Sequence, residues 1–341
     1  MRDEAAHIEG LVRDLAAQDF SSEVEVFVAD GRSTDDSVEL LRRAAREAGL
    51  TLEVIDNPAG TVSPGLNACI RRATGDLIVR MDCHSSYPPD YLRRNAEAIE
   101  ETGAWCVGGQ FLAFGRTRVE RAVAAATDSS FGGIGWTRYS DTEEPVEIDT
   151  VPYGAFLPDA FRVAGLFDES LVRNQDDEFT LRIRLAGGRV FFDPRIRIQY
   201  TPRGSYSSLF HQYREYGFWK TVVSARYRRL FSARSLVPVA FVGSLAALGV
   251  LAPFQAQARW LLGAELAAYG CAAAAFGTAA VRRRKEPWSL LPAVVAAYPT
   301  FHVAYGVGML QGVLRVVRQG AGRPHAVGRV PPEPAKPSST A

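Results

Sequence analysis

Three short stretches carry side chains at spacings that chemistry can use. Asp82-Cys83-His84 sets a carboxylate and an imidazole two residues apart on one side of an extended segment. That pair suits a divalent cation neutralising a diphosphate, and it suits an ordinary hydrogen-bonded histidine equally well. Arg173-Asn174-Gln175-Asp176-Asp177-Glu178 places three acids at the start of a helix that runs on through Thr180 and Leu185. A helix N-terminus favours acids there, and one of the three can act as a general base. They point in successive directions around the helix, so one or two face a common cleft and the rest face solvent. Asp30-Gly31-Arg32-Ser33-Thr34-Asp35 is turn chemistry first, with Ser33 or Asp35 able to cap the helix that follows.

The surrounding pattern says what positions these groups. Ile8, Leu11, Val12 and Leu15 share a helical face, and Val24, Val26 and Val28 alternate as a strand that ends at Asp30. The cycle repeats: a helix over Ser37 to Ala48, a strand over Thr51 to Ile55, then a helix opened by Ser63 as N-cap with Pro64 behind it and stopped by Gly75. A strand over Asp76 to Met81 runs into Asp82, a helix fills Pro89 to Thr102, and a strand covers Trp105 to Val107. Such alternation predicts an α/β fold with a doubly wound, parallel sheet. Ligands bind at strand carboxyl ends in these sheets, where Asp30 and Asp82 both stand. No Gly-x-Gly-x-x-Gly follows a strand and no Gly-Lys-Ser/Thr loop exists, which argues against dinucleotide oxidoreductases and P-loop NTPases.

Composition divides the chain. Its 341 residues, 47% hydrophobic and 23% charged, suffice for one sizeable core and exclude disorder, collagen and a disulfide mini-protein. Thirty-five acids against 28 bases lie before Ser232, a net −7, and three acids against 11 bases lie after it, a net +8. The balance does not describe a nucleic-acid-binding protein. Cys69, Cys83, Cys106 and Cys271 have no paired spacing, and a reducing compartment is expected. The charged opening Met1-Arg2-Asp3-Glu4 is unlike a signal peptide, so the first part of the chain is expected in the cytosol. Three apolar segments then appear, Ser235 to Ala258, Trp260 to Val281 and Pro287 to Leu314. Arginines at 226, 228, 229 and 234 and the run Arg282-Arg283-Arg284-Lys285 flank the first two, predicting a membrane hairpin with both ends cytosolic. Pro292 and Pro299 leave the third segment open between a span and a broken or interfacial helix.

Taken in order, these pieces resemble the inverting nucleotide-sugar glycosyltransferases of family 2, which have the GT-A fold. Asp3-Glu4-Ala5-Ala6-His7-Ile8 is similar to the end of that family's Pro-x-x-Asn-Glu opening, and the stretch from Val28 to Ser37 to its Asp-Asp/Gly-Gly-Ser-Thr-Asp element. Asp82-Cys83-His84 is similar to its Asp-x-Asp, Asn174-Gln175-Asp176 to its Glu-Asp motif, and Gly165 to Glu169 and Arg184 to Arg189 to the segments around that motif. Within the family, these motifs, the run Gln212 to Lys220 and the apolar C-terminal region are most similar to the succinoglycan-biosynthesis type. The resemblance implies a GT-A domain over 1–225; the apolar segments make a membrane region of two or three helices over 235–314, and the end rich in Pro, Gly and Ser reads as a disordered tail over 320–341. Because the family's opening motif follows a central strand, the resemblance also implies that about 5 or 6 residues of strand precede the numbered start.

Roles follow from the resemblance. Glu4, Asp30 and Asp82 would bind the nucleotide-sugar, Asp30 at the uracil and Asp82 at the ribose or the metal-bound diphosphate. Asp82 and His84 would hold a divalent cation, Mn or Mg, and Asp176 would be the base. Asp177, Glu178, Gln212 and Trp219 would lie on the acceptor side, with Arg116 to Glu147 as a flexible acceptor loop and with Gly108-Gly109-Gln110 and Pro152 to Ala155 as loops at the donor sugar. His84 and Gln175 depart from the family's acids, and the processive Gln-x-x-Arg-Trp signature is incomplete around Gln212 to Trp219. The expected activity is therefore addition of a single hexose from a UDP-sugar to a polyprenyl-linked saccharide in exopolysaccharide assembly. It would take place at the inner membrane with the catalytic domain facing the cytosol. The alternatives are a polyprenyl-phosphate acceptor and an inactive membrane scaffold.

Overall fold

The structure, a computed structural model, describes residues 1–132, 142–229 and 235–324. Part of the expected acceptor loop (133–141), Arg234 and most of the expected tail (325–341) lie outside the described residues. In chain order come α1 (Ala5–Ala16), β1 (Phe27–Asp30), α2 (Ser37–Glu47), β2 (Glu53–Asp56), α3 (Val62–Ile70), β3 (Ile78–Val79), β4 (Ser85–Ser86) and α4 (Tyr91–Thr102). Next are β5 (Cys106–Ala113), α5 (Arg118–Thr127), β6 (Val146–Glu147), β7 (Ala155–Phe156), α6 (Pro158–Ala164), α7 (Gln175–Leu185), β8 (Val190–Tyr200) and α8 (Tyr206–Tyr227). The apolar region forms α9 (Leu236–Leu251), α10 (Ala256–Arg283) and α11 (Leu291–Gln319).

The α/β class stands, with a sheet that is mixed rather than wholly parallel. Among the described residues β1 and β2 pair in parallel as one small sheet, and a larger one runs β3-β7-β5-β8-β4 with β6 on β8. Its centre is the parallel pair β5 and β8, and β7 lies antiparallel to both β3 and β5. Phe156, Phe161, Phe167 and Phe179 close one face of this sheet beneath α7, and Tyr91, Leu92, Ile196 and Ile198 close the other beneath α4.

Local signals explain most boundaries. Gly103 takes the left-handed conformation (φ 61°) that ends α4. Pro158 opens α6, and Asn174 sits at φ 62° ahead of the acids of α7. Ser63 is a correction: Thr61 occupies the cap position of α3, and Ser63 is buried inside the first turn. The loop expected over Arg116 to Glu147 is a second one. Thr117 and Glu120 form a reciprocal capping box, and the helix behind it buries Ala122, Val123, Ala125 and Ala126.

That buried face of α5 joins the apolar region to the rest of the molecule. One core holds Ala122 and Val123 of α5, Leu209 and Tyr213 of α8, Ala273 and Ala280 of α10, and Val294, Tyr298 and Phe301 of α11. α11 runs unbroken through Pro299 and lies along α8. At Gly308 and Gly217 a Cβ would come within 2.0 Å and 2.1 Å of the opposite backbone carbonyl, so glycine sets the closeness of this seam.

Candidate active site

The site forms where β3, the segment after it, the turn before β7 and the start of α7 converge. Arg80 leaves β3 almost wholly buried. Its Nε and Nη2 donate to the two oxygens of Asp82 at 2.8 and 3.0 Å, and its Nη1 donates to Asp176 Oδ1 at 2.8 Å. A planar guanidinium has the geometry for such a fork, and lysine does not. The Tyr153 ring lies against it, with the guanidinium carbon 4.8 Å from the ring centroid. Tyr153 is held at φ 47°, a costly conformation for a bulky residue and one that recurs at functional sites. The Asp82 segment is pinned from behind: Asp82 N donates to Tyr87 Oη at 2.6 Å, and Tyr91 Oη donates to the Arg80 carbonyl at 3.3 Å.

The two carboxylates differ in ionisation. Burial pushes the Asp82 carboxyl up, but the Arg80 charge and hydrogen bonds outweigh that and hold it below the usual range. Burial also pushes Asp176 up, the negative charges of Asp82 and Asp177 add to the effect, and Arg80 only partly offsets them, leaving it at about 6. Burial opposes the charge on Arg80 as well, yet the two carboxylates keep it firmly protonated. A carboxylate poised near neutrality fits a proton acceptor.

His84 stands beside this cluster. Its Nδ1 is 3.6 Å from Glu4 Oε1, and its Nε2 is 3.5 Å from Tyr153 Oη. Glu4 reaches it from the turn before α1, where its backbone N–H donates to Ser37 Oγ at 2.8 Å. Of the expected metal pair, Asp82 presents both oxygens to Arg80, whereas His84 stands against Glu4. Among the described residues no three His, Cys, Asp or Glu side chains converge as a cation cage. What faces outward is an imidazole and a carboxylate, Glu4, only 22% exposed. This two-donor set fits a cation that takes most of its oxygens from a bound diphosphate, as Mg²⁺ commonly does.

The other expected residues divide. Asp30 ends β1 and accepts from Ser33, at 2.6 Å from Oγ and 3.3 Å from the backbone N–H, so its carboxylate shapes its own turn. None of the three helix acids is left to solvent, contrary to expectation. Asp177 accepts from Lys220 of α8 at 2.7 Å. Glu178, with no exposed side-chain area, is paired to Arg182 at 2.8 Å and accepts from Tyr227 Oη, so it cannot touch an acceptor. Gln212 donates to Tyr216 Oη at 2.9 Å, and Trp219 lies under the Arg315 guanidinium of α11 at 5.6 Å.

Sequence reasoning missed Arg80, Tyr153 as a stacking partner, and the pairing of Glu4 with His84. A signal for Arg80 was present: it is the only charge in the apolar strand Leu77-Ile78-Val79-Arg80-Met81, on the same strand face as Asp82. A cation there demands a buried partner.

Residues 1–155 match the family described as Glycosyl transferase family 2. The succinoglycan biosynthesis protein ExoA of Rhizobium meliloti (strain 1021) is 28% identical over 320 residues, 93% of this chain and 94% of that protein. A dolichyl N-acetyl-alpha-D-glucosaminyl phosphate 3-beta-D-2,3-diacetamido-2,3-dideoxy-beta-D-glucuronosyltransferase of Methanococcus voltae is 25% identical over 210 residues, 59% of this chain and 64% of that protein. Among solved structures, S. aureus TarS 1-349 in complex with UDP aligns over 94% of this chain and 90% of that chain, at 17% identity and a TM-score of 0.48.

Proposed function

We propose that this chain, whose residues 1–155 match the family 2 glycosyltransferases, is an enzyme of that class that moves a single hexose, with inversion, from a UDP-sugar to a lipid-linked saccharide during exopolysaccharide assembly. The observation that carries the reading is Asp176, a carboxylate that burial raises to about 6 and that is tied through Arg80 to Asp82. UDP as the carrier comes from the family resemblance, exopolysaccharide from the named role of the Rhizobium relative, and a lipid carrier from the named substrate of the Methanococcus relative.

In this reading Asp82, Asp30 and Glu4 seat the nucleotide-sugar. An acceptor hydroxyl oxygen bonds to the anomeric carbon as the bond from that carbon to the diphosphate breaks with its electron pair on the departing UDP. The hydroxyl proton passes to Asp176. A divalent cation, held by His84 and Glu4 with the diphosphate oxygens, would supply charge neutralisation for the leaving group. Asp177 stays with Lys220 and orients α7 against α8.

The apolar helices favour a lipid-borne acceptor. α10 and the stretch Trp288–Gln319 are long and apolar enough to cross a membrane, whereas α9, at 16 residues, falls short of the roughly 20 a span needs. α11 is seated on α8 beside the catalytic acids. The α9 and α10 hairpin leaves Phe254 82% and Trp260 81% exposed. We read the hairpin as the part that enters the inner membrane and α11 as the helix that fastens it to a cytosolic catalytic unit.

The test uses membranes carrying the full chain, labelled UDP-sugars, and Mn²⁺ or Mg²⁺ present or chelated. Label entering organic-extractable lipid with the wild type and lost in Asp176→Asn supports the proposal, and loss on chelation supports the cation. Transfer that survives Asp176→Asn overturns the base. Accumulation of a monophosphate lipid-sugar selects a polyprenyl-phosphate acceptor instead.

A further inference from the structure

We infer that Arg80 is a positioning residue, a single buried guanidinium that fixes the donor-side carboxylate Asp82 and the base Asp176 relative to one another. The inference rests on the reading of Asp176 as the base. Three N–H groups of one planar fork are committed, two to Asp82 and one to Asp176, so rotating either carboxylate breaks a charge-assisted hydrogen bond. The arginine itself cannot drift. Its backbone N–H donates to the Gly154 carbonyl at 3.3 Å, its carbonyl accepts from Tyr91, and the Tyr153 ring lies against its guanidinium.

The clamp also selects an oxygen. Asp176 Oδ1 is taken by Arg80, whereas no hydrogen bond to Oδ2 occurs among the described residues and the side chain is 21% exposed. Oδ2 is thus the atom left to take the acceptor proton. Charge is balanced in the same unit: one cation and two carboxylates carry a net −1, and proton transfer to Asp176 brings the cluster to zero while negative charge departs with the diphosphate. A buried ion pair that only stabilised the fold would require a partner for Arg80, and it would not require that partner to be the two reactive carboxylates at once.

Arg80→Lys separates the two roles, because lysine keeps the charge and loses the fork. The assay is lipid transfer by the full-length protein in membranes, with the donor titrated, alongside thermal melting to establish folding. The positioning role predicts that Arg80→Lys melts like the wild type, keeps its donor KM within about threefold and loses kcat by about 10²-fold, the cost of a misplaced reacting group. Arg80→Met should lose both kcat and donor affinity; if it fails to fold, the lysine variant alone carries the test. Wild-type kcat in Arg80→Lys, with Asp176→Asn inactive, overturns the inference and leaves the base reading standing. Full kcat in Asp176→Asn overturns the base reading itself.

Discussion

At neutral pH an ordinary aspartate has lost its proton completely, whereas Asp176, at about 6, still feels the acid side of the physiological range. The sign is fixed by chemistry: the base works deprotonated, so kcat/KM should fall about tenfold per pH unit below 6. Desolvation is the largest cause of the shift, and the charges of Asp82 and Asp177 add to it. Asp177→Asn removes one negative charge from beside Asp176, which favours its ionised form. The acid limb of the pH-rate profile should therefore move to lower pH, and a limb that stays in place would show that Asp176 does not control it. Glu178, its neighbour along the helix, answers to a different measurement. Glu178→Gln leaves Arg182 buried with its charge uncompensated and should cost about 3–5 kcal/mol of stability, read by denaturant unfolding. Asp82 and Asp176 were legible because each stands where an element begins or ends. Arg80 was not read as their link because its partner Asp176 is 96 residues away, and no local pattern reports such a contact.

Elements are where periodicity succeeded and where it stopped. Ile8, Leu11 and Val12 mark the buried face of α1 as their spacing requires, and α2 and α4 end within a residue or so of expectation. The strand after Gly75 shrinks to Ile78 and Val79, because pairing with Phe156 and Ala155 of β7 lasts only two residues. The sequence of α5 reads as a loop although Thr117 and Glu120 spell its capping box; the apolar face behind that box makes sense only once α10 and α11 lie against it. Glycine tests this packing directly. A Cβ at Gly308 would stand 2.0 Å from the Arg214 carbonyl oxygen, whereas one at Gly263 meets nothing within 4 Å. Gly308→Ala should thus force α8 and α11 apart and cost about 1–3 kcal/mol. It should also lower transfer, because α8 carries Lys220 to Asp177. Gly263→Ala, in the interior of α10, should be neutral or slightly stabilising. Equal melting of the two variants would mean that the seam yields without resistance.

Over the whole molecule, the −7 and +8 parts set an acidic α/β portion against a basic, apolar one, and the core that runs from α5 and α8 into α10 and α11 makes them mechanically continuous. In the proposed reading, a shared core of this kind lets the apolar helices orient the acids of α7. α11 touches α8, α8 holds α7 through Lys220 and Asp177, and α7 begins with the proposed base Asp176. The exposed apolar surface lies at the far end of that chain of contacts, in Val250, Phe254, Trp260 and Leu261, where α9 turns into α10. Replacing Phe254 and Trp260 with serine removes the two most exposed aromatics without touching any residue of the shared core. The double variant should melt normally and still gain stability from UDP, since ligand binding to the native state raises stability by mass action. It should shift from the membrane pellet toward the soluble fraction and lose transfer to endogenous lipid. If it pelleted and transferred like the wild type, the reading of the α9 and α10 hairpin as the part that enters the membrane would be overturned.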